Sequence, residues 1–395
     1  MKVFINGTNN ANKGAELMFC AICQELEKRH PYSEVIMPSY MVSPWKSSKL
    51  VFKHRRFSKL MDFFAKYKIA GVLRRLHLPY VYFLRNGIAP LDLDVMFSAH
   101  GYGFGDVWQN NVETGRIHYD YLNLLRKHNT KSIFLPQAFG PFSNQGAIAT
   151  GRAIIEKSDL VCAREQASYN HLEKIGLNMS NVYIYPDFTA IVEGTKGITL
   201  CEDAIVLIPN MRMITEAGIQ EADYIVISVG AQKLQEVVGE LADRDIRGNE
   251  LKKEVVLFNH ESLGDLNLCK KINSYFGGKY RVISGLNALD TKGALANAYA
   301  VVSSRFHGAA NCLASNVPVV SSSWNPKYEL LYEEYGLKDM IFNIKDHSNI
   351  KNVLYKILDT EENKRMRQYL AEENEKIKEK IYQMWNHVFS ICEQK

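Results

Sequence analysis

The chain of 395 residues is 46% hydrophobic and 23% charged, which excludes a collagenous, low-complexity or globally disordered protein and supplies apolar material for two domains of roughly 100–200 residues. Its net charge of +5 is local. Residues 46–85 hold eleven Lys or Arg against a single acid, Asp62, and the remainder is net acidic, so the basicity implies a local partner.

The N-terminal run Met1–Gly7 reads as a short strand and a turn, too brief for the apolar region of a signal peptide. No stretch reaches the roughly 18 apolar residues of a membrane span. Seven scattered cysteines, an odd number set mostly in apolar runs, suit free thiols in a reducing compartment. Cys20 and Cys23 form a CxxC on the apolar side of a helix, where packing is the favoured reading over redox or zinc chemistry. A cytoplasmic protein is expected, with any membrane contact peripheral.

In chain order, strands are predicted at Lys2–Ile5, Glu34–Met37, Val95–Ser98, Ser132–Leu135, Leu160–Cys162 and Val182–Ile184. A second series follows at Ala204–Ile208, Glu254–Phe258, Arg281–Ser284, Ala300–Ser303, Val317–Ser321 and Met340–Phe342. Between them the apolar period is helical: Gly14–Arg29, Thr114–Lys127, Gly146–Ser158, Ala167–Ile175, Leu266–Phe276, Asp290–Asn297 and His307–Ala314. Strands alternating with helices predict parallel α/β units. The weakest join, Val192–Gly197, divides the chain into residues 1–196 and 197–395, two Rossmann-like domains facing a cleft. A polar helix from about 359 to 394, with an apolar stripe through Ile377, Ile381, Trp385 and Val388, is expected to cross back onto the first domain.

Ligands in such sheets bind beyond the carboxyl ends of the strands. The loop after the first strand, Asn6–Glu16, is small and polar and precedes a helix. It suits an anion or a sugar hydroxyl, with Asn10 and Glu16 as candidates, but it is neither a Walker loop nor GxGxxG. The loop Ser98–Asp106 alternates glycines with aromatics and carries His100 and Asp106. Asp92-Leu93-Asp94 is a DxD, read here as a turn before a strand. Leu160–Glu165 ends in Arg164, and Ile208–Arg212 and Phe258–Glu261 are strand exits carrying Asn210, Arg212 and His260. The richest segment, Ala300–Asn311, is a buried strand, a polar turn with Arg305 and His307, and a helix of small residues. An Arg fork, an imidazole and free N–H groups make an anion site there. Lys327 follows in the strand-end loop Ser321–Glu329. No His/Asp/Glu cluster has metal-ligand spacing, so no metal is expected.

These segments, in this order, resemble the polysaccharide pyruvyl transferase family. The matching pieces are Gly7–Glu16, Leu135–Pro141, Ala163–Glu165, Tyr185–Thr189, Pro209–Arg212, Asn259–Glu261, Ser304–Gly308 and Trp324–Tyr328, of which Ser-Arg-Phe-His-Gly with Trp-Asn-Pro-Lys is the most specific pair. The resemblance implies an architecture like that of B-type glycosyltransferases, with phosphoenolpyruvate as donor co-substrate and a sugar as acceptor, joined as a pyruvate ketal. It maps donor-binding residues onto Arg164, Arg305 and His307, with Lys327 added. Arg305 and His307 are then the catalytic candidates. Asn10, Glu16, His100, Asp106, Asn210 and Arg212 fall to the acceptor, and the base is open among Glu16, His100 and Asp106.

Phosphoenolpyruvate carries a carboxylate and a phosphate a few ångströms apart, which calls for fixed cations. His307 can hold the phosphate or supply a proton near neutral pH. The basic segment interleaves aromatics with Lys53, Arg55, Arg56, Lys59, Phe63, Phe64, Arg74 and Arg75. It reads either as an anionic inner-leaflet surface contact, serving an acceptor on a polyprenyl diphosphate, or as a solvated face over a packed aromatic stripe. It has no nucleic-acid-binding module. Two other functions stay open: a B-type glycosyltransferase using a nucleotide sugar, and a membrane-associated, non-enzymatic scaffold of a glycan assembly complex.

Overall fold

The computed structural model describes residues 1–38, 40–54, 93–109, 111–221, 224, 253–325, 327–342 and 350–394. They form two compact units, residues 1–192 with 379–395, and residues 193–378.

The first unit is a parallel sheet in the order β3-β2-β1-β4-β6-β7-β8. Its strands are β1 Lys2–Asn6, β2 Glu34–Met37, β3 Val51–His54, β4 Val95–Ser98, β6 Lys131–Phe139, β7 Leu160–Ala163 and β8 Val182–Ile184, with β5 Tyr102–Phe104 pairing the far end of β6. Parallel strands need crossovers, and the helices Lys13–Arg29, Val112–Lys127, Gln145–Lys157 and Gln166–Glu173 supply them. The first of these is buried over most of its length, Cys20 and Cys23 included. Burial pushes both thiols well above their ordinary range, so they pack as small hydrophobes.

Two strands lie where none was predicted. Val51–His54 is a short edge strand within the basic run, pairing in register with Glu34–Met37. Tyr102–Phe104 extends the glycine-aromatic loop along Ala138 and Phe139. Strand β6 also runs four residues past the predicted end, through Pro136. A proline in a central strand normally argues against the strand. Here the β6–β7 register shifts between Phe134 and Gln137, and the irregularity takes up the residue that cannot donate to the ladder.

The second unit is a parallel sheet in the order β11-β10-β9-β12-β13-β14. Its strands are β9 Ile205–Ile208, β10 Val255–Phe258, β11 Arg281–Ile283, β12 Ala300–Ser303, β13 Val319–Ser322 and β14 Ile341–Phe342. Strands β9, β10, β12 and β13 are buried at every position, as their continuous apolar runs require. The order places the loops after β9, β10, β12 and β13 side by side. The segment predicted as a loop around Lys327 is instead the first turn of a helix, Lys327–Glu334.

The last helix, Thr360–Glu393, serves both units. In the second, Arg367 donates to the carbonyls of Ala298, Tyr299 and Asn316. In the first, Trp385 is fully buried beside Phe97, Phe188 and Phe389. Among the described residues no helix is long and apolar enough to cross a membrane.

Candidate functional site

The second unit concentrates its polar groups in the turn that leaves β12. Ser304 N donates to the Ile208 carbonyl at 2.9 Å, and the Ser304 carbonyl accepts from Asn210 Nδ2 and from the Tyr328 hydroxyl, both at 2.7 Å. Ser304 Oγ accepts from the Tyr224 hydroxyl at 2.9 Å and lies 2.7 Å from Ser322 Oγ. Ser303 Oγ accepts from Arg305 N and donates to the Arg305 carbonyl. A buried turn with every such group paired is rigid. Arg305 keeps the extended backbone of a helix cap, and the helix Phe306–Ala314 starts directly after it. Gly308 lets that helix pack down: a Cβ there would come within 2.7 Å of Ser303 Oγ.

The guanidinium of Arg305 turns to two carboxylates. Nη1 pairs with Glu261 and Nη2 with Asp265, which is fully buried. Asp265 also accepts from Met211 N at 3.0 Å. Arg305 is therefore clamped by its own protein. A residue expected to stand over a helix N-terminus and meet an anion is oriented by acids from the loop after β10 and from the helix Leu263–Tyr275.

Lys327 is held differently. Its ammonium lies 4.9 Å from the Trp324 ring centre, 5.1 Å from Phe306 and 5.7 Å from Tyr328. The Arg212 guanidinium stacks 5.2 Å from the same indole, with Glu216 at 3.5 Å. Trp324 Nε1 donates to the Tyr328 hydroxyl, fixing the rings to one another. The His307 ring stands edge-on to Phe306 at 5.1 Å. Aromatic faces attract and orient a cation, so this cluster holds Lys327 and Arg212 in fixed positions. Burial raises the Tyr328 phenol far above its ordinary value, keeping it a hydrogen-bond donor. Asn210, expected near the acceptor, is buried and spends its side chain on Ser304 and on Arg212 N.

In the first unit, Arg164 is 10% exposed, with Nε 3.2 Å from Glu165 and Nη1 3.6 Å from Asp187. Asn10 and Glu16 close the first loop on itself. Asn10 Nδ2 donates to Glu16 Oε1 and to the Val42 carbonyl at 2.8 Å, and Lys13 pairs with Glu16 at 2.8 Å. Asp106 accepts from Ser143 N, Ser143 Oγ, Asn144 N and Asn144 Nδ2. Desolvation pushes its carboxyl up, and the hydrogen bonds from Asn144 and Ser143 together outweigh that and hold it below the ordinary value. His100 packs on Gly7, where a Cβ would come within 2.6 Å of its ring, and its Nδ1 lies 3.0 Å from Ser98 Oγ. Burial, then the neighbouring His118, lowers His100 to about 4, so it is neutral near pH 7.

Lys53 sits on the edge strand β3, 2.5 Å from Glu34. Arg55, Arg56, Lys59, Phe63, Phe64, Arg74 and Arg75 lie outside the described residues. No group of His, Cys, Asp or Glu among the described residues could hold a metal ion. The aromatic support of Lys327 and the Asp265 half of the Arg305 clamp were not foreseen. Trp324 and Tyr328 had a signal, since they lie in the segment that carried the resemblance; Asp265 had none beyond an acid in a first helical turn.

Comparison with known proteins is consistent with this layout. The sequence pattern of the family described as Polysaccharide pyruvyl transferase matches residues 12–326. No curated protein matches by sequence. Among solved structures, the trehalose-6-phosphate synthase OtsA is similar with a TM-score of 0.56 at 11% identity, covering 100% of this chain and 99% of its own. Alr3699/HepE of Anabaena, in complex with UDP-glucose, gives 0.53 at 10% identity over 98% and 99%. A Burkholderia multivorans trehalose-6-phosphate synthase gives 0.50 at 10% identity over 99% and 97%. At such identities the likeness is one of fold alone, and the fold is the α/β, parallel-sheet, two-domain class of the B-type glycosyltransferases.

Proposed function

The chain belongs to the polysaccharide pyruvyl transferase family, and from that premise we propose that it moves the enolpyruvyl group of phosphoenolpyruvate onto a sugar of a bacterial-type surface polysaccharide precursor, forming a pyruvate ketal and releasing phosphate. One observation carries the reading: the Lys327 ammonium is set among the rings of Trp324, Phe306 and Tyr328, and the Arg212 guanidinium lies over the same indole. A donor with a phosphate and a carboxylate calls for cations held in fixed positions.

Addition of a proton to the methylene carbon makes C2 electrophilic. One sugar hydroxyl adds to C2 and gives its proton to a base. The C2–O bond to phosphate then breaks with its electrons going to phosphate, and a second hydroxyl closes the ketal and loses its proton. Lys327 and Arg212 stabilise the charge gathering on the departing phosphate. His307 gives the proton or holds the phosphate. Arg305, locked by Glu261 and Asp265, acts as a positioning residue that fixes the turn carrying His307. The scheme uses no cofactor. The acceptor is proposed to ride on a polyprenyl diphosphate carrier, which would bring the protein to the cytoplasmic face of the inner membrane, where the basic run 46–85 suits an anionic surface.

Thermal unfolding with phosphoenolpyruvate tests the reading. At about 100 times its dissociation constant, a ligand adds roughly 2.7 kcal/mol to the folded state. That gain is expected in the wild type and should vanish in Lys327→Ala and His307→Ala. Stabilisation by UDP and none by phosphoenolpyruvate would overturn the reading in favour of a nucleotide-sugar enzyme.

A further inference from the structure

The first unit carries an exposed aromatic surface that no part of the donor chemistry uses. Beyond the carboxyl end of β4 and alongside that of β6, Tyr102 is 38% exposed, Val107 68% and Trp108 55%. The Tyr102 and Trp108 rings meet edge-on, with centres 6.3 Å apart at 73°. Large apolar side chains grouped in the open at the ligand-binding edge of an α/β sheet mark a contact surface.

This surface is built rather than loose. The Tyr102 hydroxyl donates to the Gly140 carbonyl at 3.2 Å. Gln109 ties the loop twice, accepting from Gly105 N at 2.7 Å and donating to the Gly103 carbonyl at 3.0 Å. Asp106 N donates to the Pro141 carbonyl, while its carboxylate takes the four bonds from Ser143 and Asn144. Gly105 permits the close pass, since a Cβ there would come within 2.7 Å of the Gly140 oxygen. A rigid aromatic pair loses little entropy when a ligand settles on it.

We propose that Trp108 and Tyr102 form a platform on which a pyranose ring of the acceptor glycan stacks. This rests on the reading that the acceptor is a sugar. The C–H bonds on one face of a pyranose present weakly positive hydrogens to the negative face of an indole, and its hydroxyls suit a polar rim. The charged residues nearest to Trp108 in the sequence are the acids Asp106 and Glu113. A surface built to enter an anionic bilayer would be edged by Lys and Arg instead.

Saturation-transfer NMR on the full chain, with the methyl glycosides of glucose, galactose, mannose and N-acetylglucosamine as probes, reads this directly. The wild type is expected to transfer saturation to at least one of them. Trp108→Ala should weaken that binding about tenfold, and Trp108→Phe should recover most of it, with melting temperatures unchanged. Equal transfer in Trp108→Ala, or no transfer to any glycoside from the wild type, overturns the platform. Capture of the wild type but not Trp108→Ala on phosphatidylcholine–phosphatidylglycerol vesicles would overturn it in favour of a lipid surface. Self-association abolished by Trp108→Ala would overturn it in favour of a second copy. The two proposals fail separately: glycoside binding through Trp108 without any phosphoenolpyruvate effect leaves the platform and removes the pyruvyl transfer, and the reverse removes the platform alone.

Discussion

The loop after β1 and the turn after β12 each lead from an interior strand of a sheet into a helix, but they are held by different means. The first is closed mostly by its neighbours: Asn12 caps Gly14 N and Ala15 N, Asn9 accepts from Asn12 N, and Asn10 and Lys13 hold Glu16. The second is closed from afar, with Asn210, Tyr224, Tyr328, Glu261 and Asp265 all converging on Ser304 and Arg305. A loop that satisfies itself is stable wherever it is placed. A turn satisfied by four other segments exists only in the folded sheet, and its charges are set by partners that local sequence does not name.

The largest break in that contrast comes from removing one arm of the clamp. Asp265→Ala leaves Arg305 and Met211 N short of a buried partner, and chemical denaturation should show a loss of about 3–5 kcal/mol. A similar cost for the more exposed Lys53–Glu34 pair would contradict the assignment of strength to burial, since exposed pairs contribute about 0–1 kcal/mol.

The next largest is an acid limb belonging to the first unit. His100 and His118 titrate at about 4 in the fold, chiefly through burial, against about 6.5 in an unfolded chain. The unfolded state therefore binds protons first as pH falls. Stability is unaffected above pH 6.5, declines from there to about 4, and is fully reduced below that. The loss is on the order of 3 kcal/mol per histidine, and His118→Phe should flatten part of the slope in denaturation curves taken across this window.

Smaller again is Tyr328→Phe, which keeps a ring under Lys327 but strips a donor from the Ser304 carbonyl and an acceptor from Trp324. It should lower stability by about 1–2 kcal/mol while leaving Lys327 on its rings, and hence most phosphoenolpyruvate binding, in place. The smallest change is Asn12→Ala in the locally closed loop, at about 1 kcal/mol for a lost helix cap. If Asn12→Ala proved costlier than Asp265→Ala under the same denaturant, the distinction between self-closed and tertiary-closed loops would fail.

Most strands and helices were legible because a strand buried on both faces must be a continuous apolar run, and a helix over a sheet must show its 3.6-residue stripe. The order of the strand-end segments was enough to point to the family, and the segments around Arg305 and Lys327 were marked by their residue types. What local reading missed has specific causes. Pro136 reads as a stop unless the neighbouring strand shifts register to accept it. Val51–His54 is paired on one edge only, so its pattern is weak amid lysines and arginines. Lys327 reads as a loop residue because Asn325 and the turn residues before it hide the helix that follows.

The sequence by itself determined the alternation of elements, the family, and which side chains could carry charge at the strand ends, since these depend on short-range pattern and residue chemistry. Only the tertiary structure decided how each charge is employed. Arg305 lies on two carboxylates and Lys327 on three aromatic rings because Glu261, Asp265, Phe306, Trp324 and Tyr328 arrive from separate strand ends that the parallel order β10-β9-β12-β13 sets side by side. The electrostatic state of a cation is a property of what surrounds it, and that is fixed by strand order, which no single segment encodes.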